Sequence, residues 1–64
     1  MNEKYEKILE IIKENSPCHI DDLYSKIWEA EIYQDIFSIK KALEFLHKTK
    51  RIKISNFRVE ACEV

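Results

Sequence analysis

The sequence contains no glycine and a single proline in 64 residues. Phosphate-binding loops and dinucleotide fingerprints need glycine where the backbone approaches a phosphate, so these classes of nucleotide-binding enzyme are excluded. Two cysteines and two histidines, with no Cys-x-x-Cys or His-x-x-x-His spacing, predict neither a disulfide framework nor a metal site. No apolar run approaches the roughly 18–20 residues of a membrane span, and no signal-peptide core follows Met1. We therefore expect a cytoplasmic protein that binds no cofactor and no membrane.

A chain of this length has room for one small domain, residues 1–64, with a thin core. Hydrophobic residues make up 45% and charged residues 36% of it, which is typical of a globular domain and too apolar for a disordered tail. No nucleophile and base can be paired from the sequence, and a domain this small offers little space for a pocket that excludes water. We expect a protein that is not an enzyme and has no catalytic residues and no small-molecule substrate.

Charge is divided unevenly along the chain. Residues 1–35 hold nine acidic and four basic residues, a net charge of −5, whereas residues 36–64 hold seven basic and three acidic residues, a net charge of +4. The formal total of −1 hides this asymmetry. A basic face on the second half can bind phosphates even though the whole molecule is nearly neutral, because charge effects in solution are screened beyond about 8–10 Å.

Two amphipathic helices are predicted in the acidic half. The spacing of apolar residues predicts the first over 3–14, with Asn2 as its N-cap and Pro17 closely following its end. A second helix begins at Asp21 and fades between Trp28 and Ala30, after a short extended stretch. Its N-cap is either His19 or Ser16. The loop that follows, 29–34, contains no glycine, so it has to turn either without a positive φ or with a strained residue.

A third helix is predicted over 36–49, with Asp35 as its N-cap. One apolar stripe runs along it and comprises Ile32, Ile36, Ile39, Leu43 and Leu46. After it the period of apolar residues changes to two, which predicts a β-hairpin. With Ser55-Asn56 as the turn, Ile54 pairs with Phe57 and Ile52 with Val59, all on one face.

This order of elements, mostly α with a small antiparallel β-hairpin, resembles the winged helix-turn-helix family of DNA-binding domains. The resemblance covers nearly the whole chain and is carried by the runs His19-Ile20-Asp21-Asp22-Leu23 with Ile27, and Ile39-Lys40-Lys41-Ala42-Leu43-Glu44-Phe45-Leu46 followed by Ile52. The family often has a glycine before the first wing strand, where this sequence has Thr49-Lys50-Arg51. Such domains place the third helix in the major groove of double-stranded DNA.

The resemblance implies a small transcriptional regulator whose DNA contacts come from the third helix and the short wing. On the helix, Gln34, Ser38 and Glu44 have hydrogen-bonding groups suited to base edges. Phe37 and Phe45 can contact a thymine methyl, pack on a partner protein or extend the thin core, which is the commonest role of an aromatic residue in so short a chain. Basic side chains suited to phosphates are Lys40, Lys41, Lys48, Lys50, Arg51, Lys53 and Arg58. The alternative is a solvated basic surface without a nucleic-acid partner.

A second function stays open, that of a winged helix that binds another protein or a second copy of itself and never touches DNA. The acidic first half, the short wing and the aromatic residues Trp28, Phe37 and Phe45 favour it.

The two cysteines can be interpreted in two ways. In the family the short first strand pairs with the last strand, which would bring Cys18 near Cys62 as a redox-sensitive pair, although two free thiols are the simpler interpretation.

Overall fold

Three helices and a three-stranded antiparallel sheet form the part of the chain, residues 2–62, that the computed structural model describes. The elements in chain order are α1 (Glu3–Asn15), β1 (Cys18–His19), α2 (Ile20–Glu29), α3 (Ile36–Lys48), β2 (Ile52–Ser55) and β3 (Arg58–Ala61). The mostly helical class, the order of the elements and the hairpin are confirmed. The third helix ends one residue earlier than expected, with Thr49 as its C-cap.

All three helices begin at side-chain caps. The Asn2 side chain accepts a hydrogen bond from the Lys4 backbone N–H (2.8 Å), and the Asp35 carboxylate accepts from the Ser38 N–H (2.8 Å). At α2 the His19 Nδ1 accepts from the Asp21 N–H (3.1 Å). These bonds satisfy backbone donors that a helix start leaves without partners. His19 is therefore the cap of α2, and Ser16 has a different role.

The core lies between the three helices and one face of the sheet. It is entirely apolar and comprises Ile8, Leu9, Ile12, Leu23, Ile27, Ile32, Ile39, Ala42, Leu43, Leu46, Ile52 and Val59. The prediction that Ile36 belongs to the buried stripe is wrong, because its side chain is 60% exposed. Ile36 lies in the first turn of α3, where it faces Trp28 of α2 at the surface instead of the core.

The hairpin has a different register from the one we expected. Ile54 pairs with Val59 and Ile52 with Ala61, and the turn is made by Asn56 and Phe57, with φ of 50° and 64°. The predicted turn at Ser55-Asn56 is therefore wrong, and the two strands are shifted by two residues relative to each other. A shift of two leaves Ile52, Ile54 and Val59 on the inner face, so their alternation fits both registers equally well. The expectation that Phe57 shares this face is wrong, because Phe57 lies in the turn and its side chain is 72% exposed.

The sheet has the order β1-β3-β2, so that β3 is its central strand. Cys18 pairs with Val59, three residues before Cys62, which corresponds to about 10 Å along the strand. A disulfide needs Cα atoms closer than about 7 Å, so the predicted approach of Cys18 to Cys62 is not realised and both thiols are free. Ser16 instead accepts a hydrogen bond from the Ala61 N–H (3.2 Å), continuing the contact between this segment and β3.

Among residues 2–62, four take the left-handed backbone conformation that glycine adopts most easily. They are Glu31, Lys50, Asn56 and Phe57. Glu31 and Lys50 follow the C-caps of α2 and α3. At the end of α3 the Arg51 N–H donates to the Leu46 carbonyl (2.9 Å) and the Lys50 N–H donates to the His47 carbonyl (3.0 Å). This is the Schellman ending, in which glycine usually occupies the place of Lys50. Of the two alternatives for the loop after α2, the strained residue is the one found, since Glu31 has a φ of 57°.

Candidate nucleic-acid interface

The outer face of α3 is exposed along the whole helix. Ile39, Ala42, Leu43 and Leu46 face the core, and at 100° per residue the opposite side carries Phe37, Lys41, Glu44 and Lys48, with Lys40 beside them. Phe37 is 73% exposed, and the Lys41 Nζ lies 5.8 Å from the centre of its ring. The structure thus brings together five of the predicted contact residues, and a shallow groove of about 120 Å³ is formed by Phe37, Lys40, Lys41 and Glu44.

The lysines of this face have no ion-pair partner in the part of the chain that the structure describes. No carboxylate among residues 2–62 lies within 4.0 Å of the ammonium of Lys40, Lys41 or Lys48. Glu44, on the same face, is exposed and leaves them unpaired. Their positive charge is therefore directed to solvent, where an external anion can reach it.

Two predicted contact residues lie elsewhere than expected. Gln34 precedes the helix, since the cap is Asp35, and it lies exposed in the loop that leads to α3. Ser38 is half-buried on the same side of the helix as Phe45, seven residues on, rather than on the outer face. Phe45 itself packs on Tyr5 of α1, with ring centres 5.2 Å apart. Gln34 remains accessible at the N-terminal end of α3, whereas Ser38 is displaced towards α1.

The basic side chains that follow α3 do not all extend the basic surface of the helix. Arg51 lines a cleft with Glu6, Leu9, Glu10 and Lys13 of α1, so it lies beside two carboxylates. Lys50 is exposed in the left-handed turn between α3 and the sheet. The placement of Arg51 among acidic side chains lowers the positive potential that it can offer to a phosphate.

Lys53 and Arg58 lie on the outer face of the sheet. Together with Ser55, Asn56 and Glu60 they line a cleft of about 260 Å³. Register places Lys53 opposite Glu60, and Ser55 opposite Arg58. The expectation that both bases point away from the core is confirmed, since both are exposed. The predicted contact residues thus form three groups, on α3, on the outer sheet face and beside α1.

A surface groove between α2 and α3 was not predicted as a unit. Tyr24, Ser25, Trp28 and Glu29 form its α2 side, and Ile36 and Ile39 form its α3 side, around a volume of about 280 Å³. Trp28 is 46% exposed and Ile36 is 60% exposed. The sequence indicates this groove only through Trp28 near the end of α2, since the apolar spacing places Ile36 in the core stripe.

Two ionisable groups have shifted pKa values. Burial raises the pKa of the Cys18 thiol above its ordinary value, and the Asp22 carboxylate adds to this effect, whereas Lys26 opposes it. Burial likewise raises the pKa of the Tyr33 phenol, with smaller contributions from Tyr5 and Asp35. The Tyr33 ring also receives the Lys4 ammonium at 4.8 Å, which ties the start of α1 to the loop before α3.

No protein-family model, curated protein or solved structure matches this chain. Among residues 2–62, no helix combines the length and the apolar character that crossing a membrane requires. Within the same range, no three His, Cys, Asp or Glu side chains come close enough together to hold a metal ion.

Proposed function

We propose that this chain is a winged-helix protein that binds double-stranded DNA by placing α3 in the major groove, as a small transcriptional regulator. The observation that carries the proposal is the exposed outer face of α3, on which Lys40, Lys41 and Lys48 lack any carboxylate partner among residues 2–62. The order of the elements and the pairing of β1 with β3 agree with the family pattern that the sequence resembles.

The dimensions of α3 suit a major groove. Its 13 residues extend over about 20 Å, and the major groove is about 12 Å wide and accepts one helix. In this docking mode the residues near the helix start reach base edges. Phe37 then contacts a thymine methyl, Gln34 reaches an adenine from the preceding loop, and Glu44 accepts from a cytosine amino group. The lysines of α3 hold the backbone phosphates on either side.

The hairpin contributes less than a long wing would. The Phe57 carbonyl accepts a hydrogen bond from the Ile20 N–H (2.8 Å), which holds the turn against the start of α2. The turn therefore does not project beyond the sheet. With Arg51 beside α1 carboxylates, three or four phosphate contacts from α3 and Lys50 are the expected number, fewer than the basic residues of this half.

Salt dependence of duplex binding tests the proposal. Three or four phosphate contacts predict a slope of log K against log salt of about −3 to −4 for a mixed-sequence duplex, measured by fluorescence anisotropy. The variant Lys41→Ala should weaken binding to every duplex and reduce the slope by about one. Lys7→Ala, which removes an exposed lysine of α1, is the matched control and should leave binding unchanged. A flat salt response, or equal losses in the two variants, would contradict the proposal.

The groove between α2 and α3 favours a second function, that of a protein-interaction module. A partly exposed tryptophan beside an exposed isoleucine is the kind of surface that protein interfaces bury. A gel shift with mixed duplex fragments, set beside sedimentation velocity of the free chain, separates the two functions. Duplex binding that Lys41→Ala weakens and Ile36→Ser does not supports the regulator. Self-association that Ile36→Ser abolishes, without any duplex binding, supports the interaction module.

A further inference from the structure

Phe57 combines two features that a folding role does not explain. It occupies the second position of the hairpin turn with φ of 64°, a conformation that costs a non-glycine residue free energy and that glycine most often adopts there. Its side chain is also 72% exposed, so it contributes little to the core. Strained backbone conformations cluster at binding and active sites, so a strained residue with an exposed side chain is a candidate for binding.

The surroundings of Phe57 are those of a stacking site. The His19 ring lies 6.4 Å away, centre to centre, and is inclined by only 21°, so the two rings are stacked, nearly parallel to each other. Arg58, the next residue, pairs with His19 in register and lines the cleft on the outer sheet face. Phe57 therefore lies in the chain between Asn56 and Arg58, two residues that line this cleft.

We propose that this outer sheet face binds an unpaired nucleotide of a single-stranded nucleic acid. The base stacks on Phe57 beside His19, and Arg58, with the Ser55 hydroxyl and Asn56 amide, holds the adjoining phosphate. Aromatic stacking next to a basic track is how proteins bind single strands with little sequence preference. This site shares no residue with the outer face of α3 and does not depend on the proposed duplex binding.

The charges along the cleft give the site a direction. Lys53 lies opposite Glu60 at the end far from the turn, and Arg58 lies opposite Ser55 at the end near it. Glu60 repels phosphate and offsets Lys53, so the phosphate binds at the Arg58 end, next to the stacked base. Stacking on Phe57 requires an uncovered base face, which an unpaired nucleotide has and the interior of a duplex lacks.

Substitution of Phe57 by glycine tests the site without endangering the fold. Because glycine suits this backbone conformation, Phe57→Gly should retain or raise the thermal midpoint while removing the ring. The probes are oligothymidylate and oligouridylate of about 12 nucleotides, one arm for DNA and one for RNA, with affinity measured by anisotropy at low salt. We expect Phe57→Gly to weaken binding by about five- to a hundredfold, and Phe57→Trp to restore it.

Phe45→Leu is the control, because Phe45 is a partly exposed aromatic residue that packs on Tyr5 and lies in neither proposed nucleic-acid surface. It should change single-strand affinity by less than about twofold, and Lys41→Ala should weaken only duplex binding. On irradiation, a strand that carries iodouracil should crosslink to Phe57 or His19. Single-strand affinity that Phe57→Gly leaves unchanged, or a crosslink that maps to Phe37, would overturn the proposal. If the unmodified protein binds the single strands as expected but does not bind a duplex, only the proposed function of α3 is overturned.

Discussion

The helices and the hairpin of this protein are specified in different ways. In α3 the apolar positions Ile39, Leu43 and Leu46 identify the buried side, and the helix has no alternative register that preserves it. In the hairpin, Ile52, Ile54 and Val59 face inward in both registers, and the turn selects between the two. The comparison teaches that apolar periodicity determines which side chains are buried, whereas cross-strand pairing depends on backbone contacts that periodicity does not encode.

The largest expected effect concerns the buried side of α3. Ile39 is fully buried, so Ile39→Ala should lower the free energy of unfolding by about 2–5 kcal/mol, because it leaves a cavity in a thin core. Ile36→Ala, three residues earlier and 60% exposed, should change it by less than about 0.5 kcal/mol. Urea denaturation followed by circular dichroism measures both. Similar losses for the two would mean that Ile36 belongs to the core after all.

A smaller effect is expected at the link between the helices and the hairpin. Lys50 follows the C-cap of α3 with φ of 61°, so Lys50→Gly should stabilise the protein by about 1 kcal/mol. Lys40→Gly, at an exposed position inside the helix, should destabilise it by about 1 kcal/mol. For a domain of this size each change corresponds to a shift of about 4–8 °C in the thermal midpoint. A loss of stability in both variants would argue against the left-handed ending of α3.

The register of the hairpin can be tested by its side-chain coupling. Ile54 lies directly opposite Val59, so a double-mutant cycle with alanine at both positions should give a coupling free energy of about 0.2–1 kcal/mol. The corresponding cycle between Ile54 and Phe57 should give a value close to zero. Coupling of Ile54 to Phe57 instead of Val59 would indicate the register that has its turn at Ser55-Asn56.

The smallest effect concerns the thiol of β1. Because burial raises the pKa of Cys18, less of its reactive thiolate is present at a given pH, and alkylation should be slower than for an exposed thiol. Iodoacetamide labelling of the Cys62→Ser variant at about pH 8, with glutathione as the reference, measures the rate. Raising the pH should increase the rate of Cys18 labelling, because deprotonation is what limits it. A rate equal to that of glutathione would show that Cys18 is not shielded.

The helix starts could be predicted because a cap acts locally. Asn2, His19 and Asp35 each bond to a backbone N–H two or three residues further along, so the bond depends on nearby sequence alone. The position of Arg51 could not be predicted in this way, since it depends on how α1 packs against the end of α3. For the same reason the grouping of the predicted contact residues on α3, on the outer sheet face and beside α1 could not be predicted. Only the group on α3 follows from helical spacing.

Spacing along one segment was enough to predict the three helices, the caps Asn2 and Asp35, and the exposed lysines of α3. The choice of His19 over Ser16 as the cap of α2 and the hairpin register with Phe57 in its turn emerge only in the folded chain. The same holds for the exposure of Ile36 in a groove with Trp28 and for the separation of Cys18 from Cys62. These features depend on distant segments, such as the hydrogen bond from Ile20 to Phe57 and the pairing of β1 with β3. Contacts of that kind are fixed only when the helices and the sheet bury their apolar faces together.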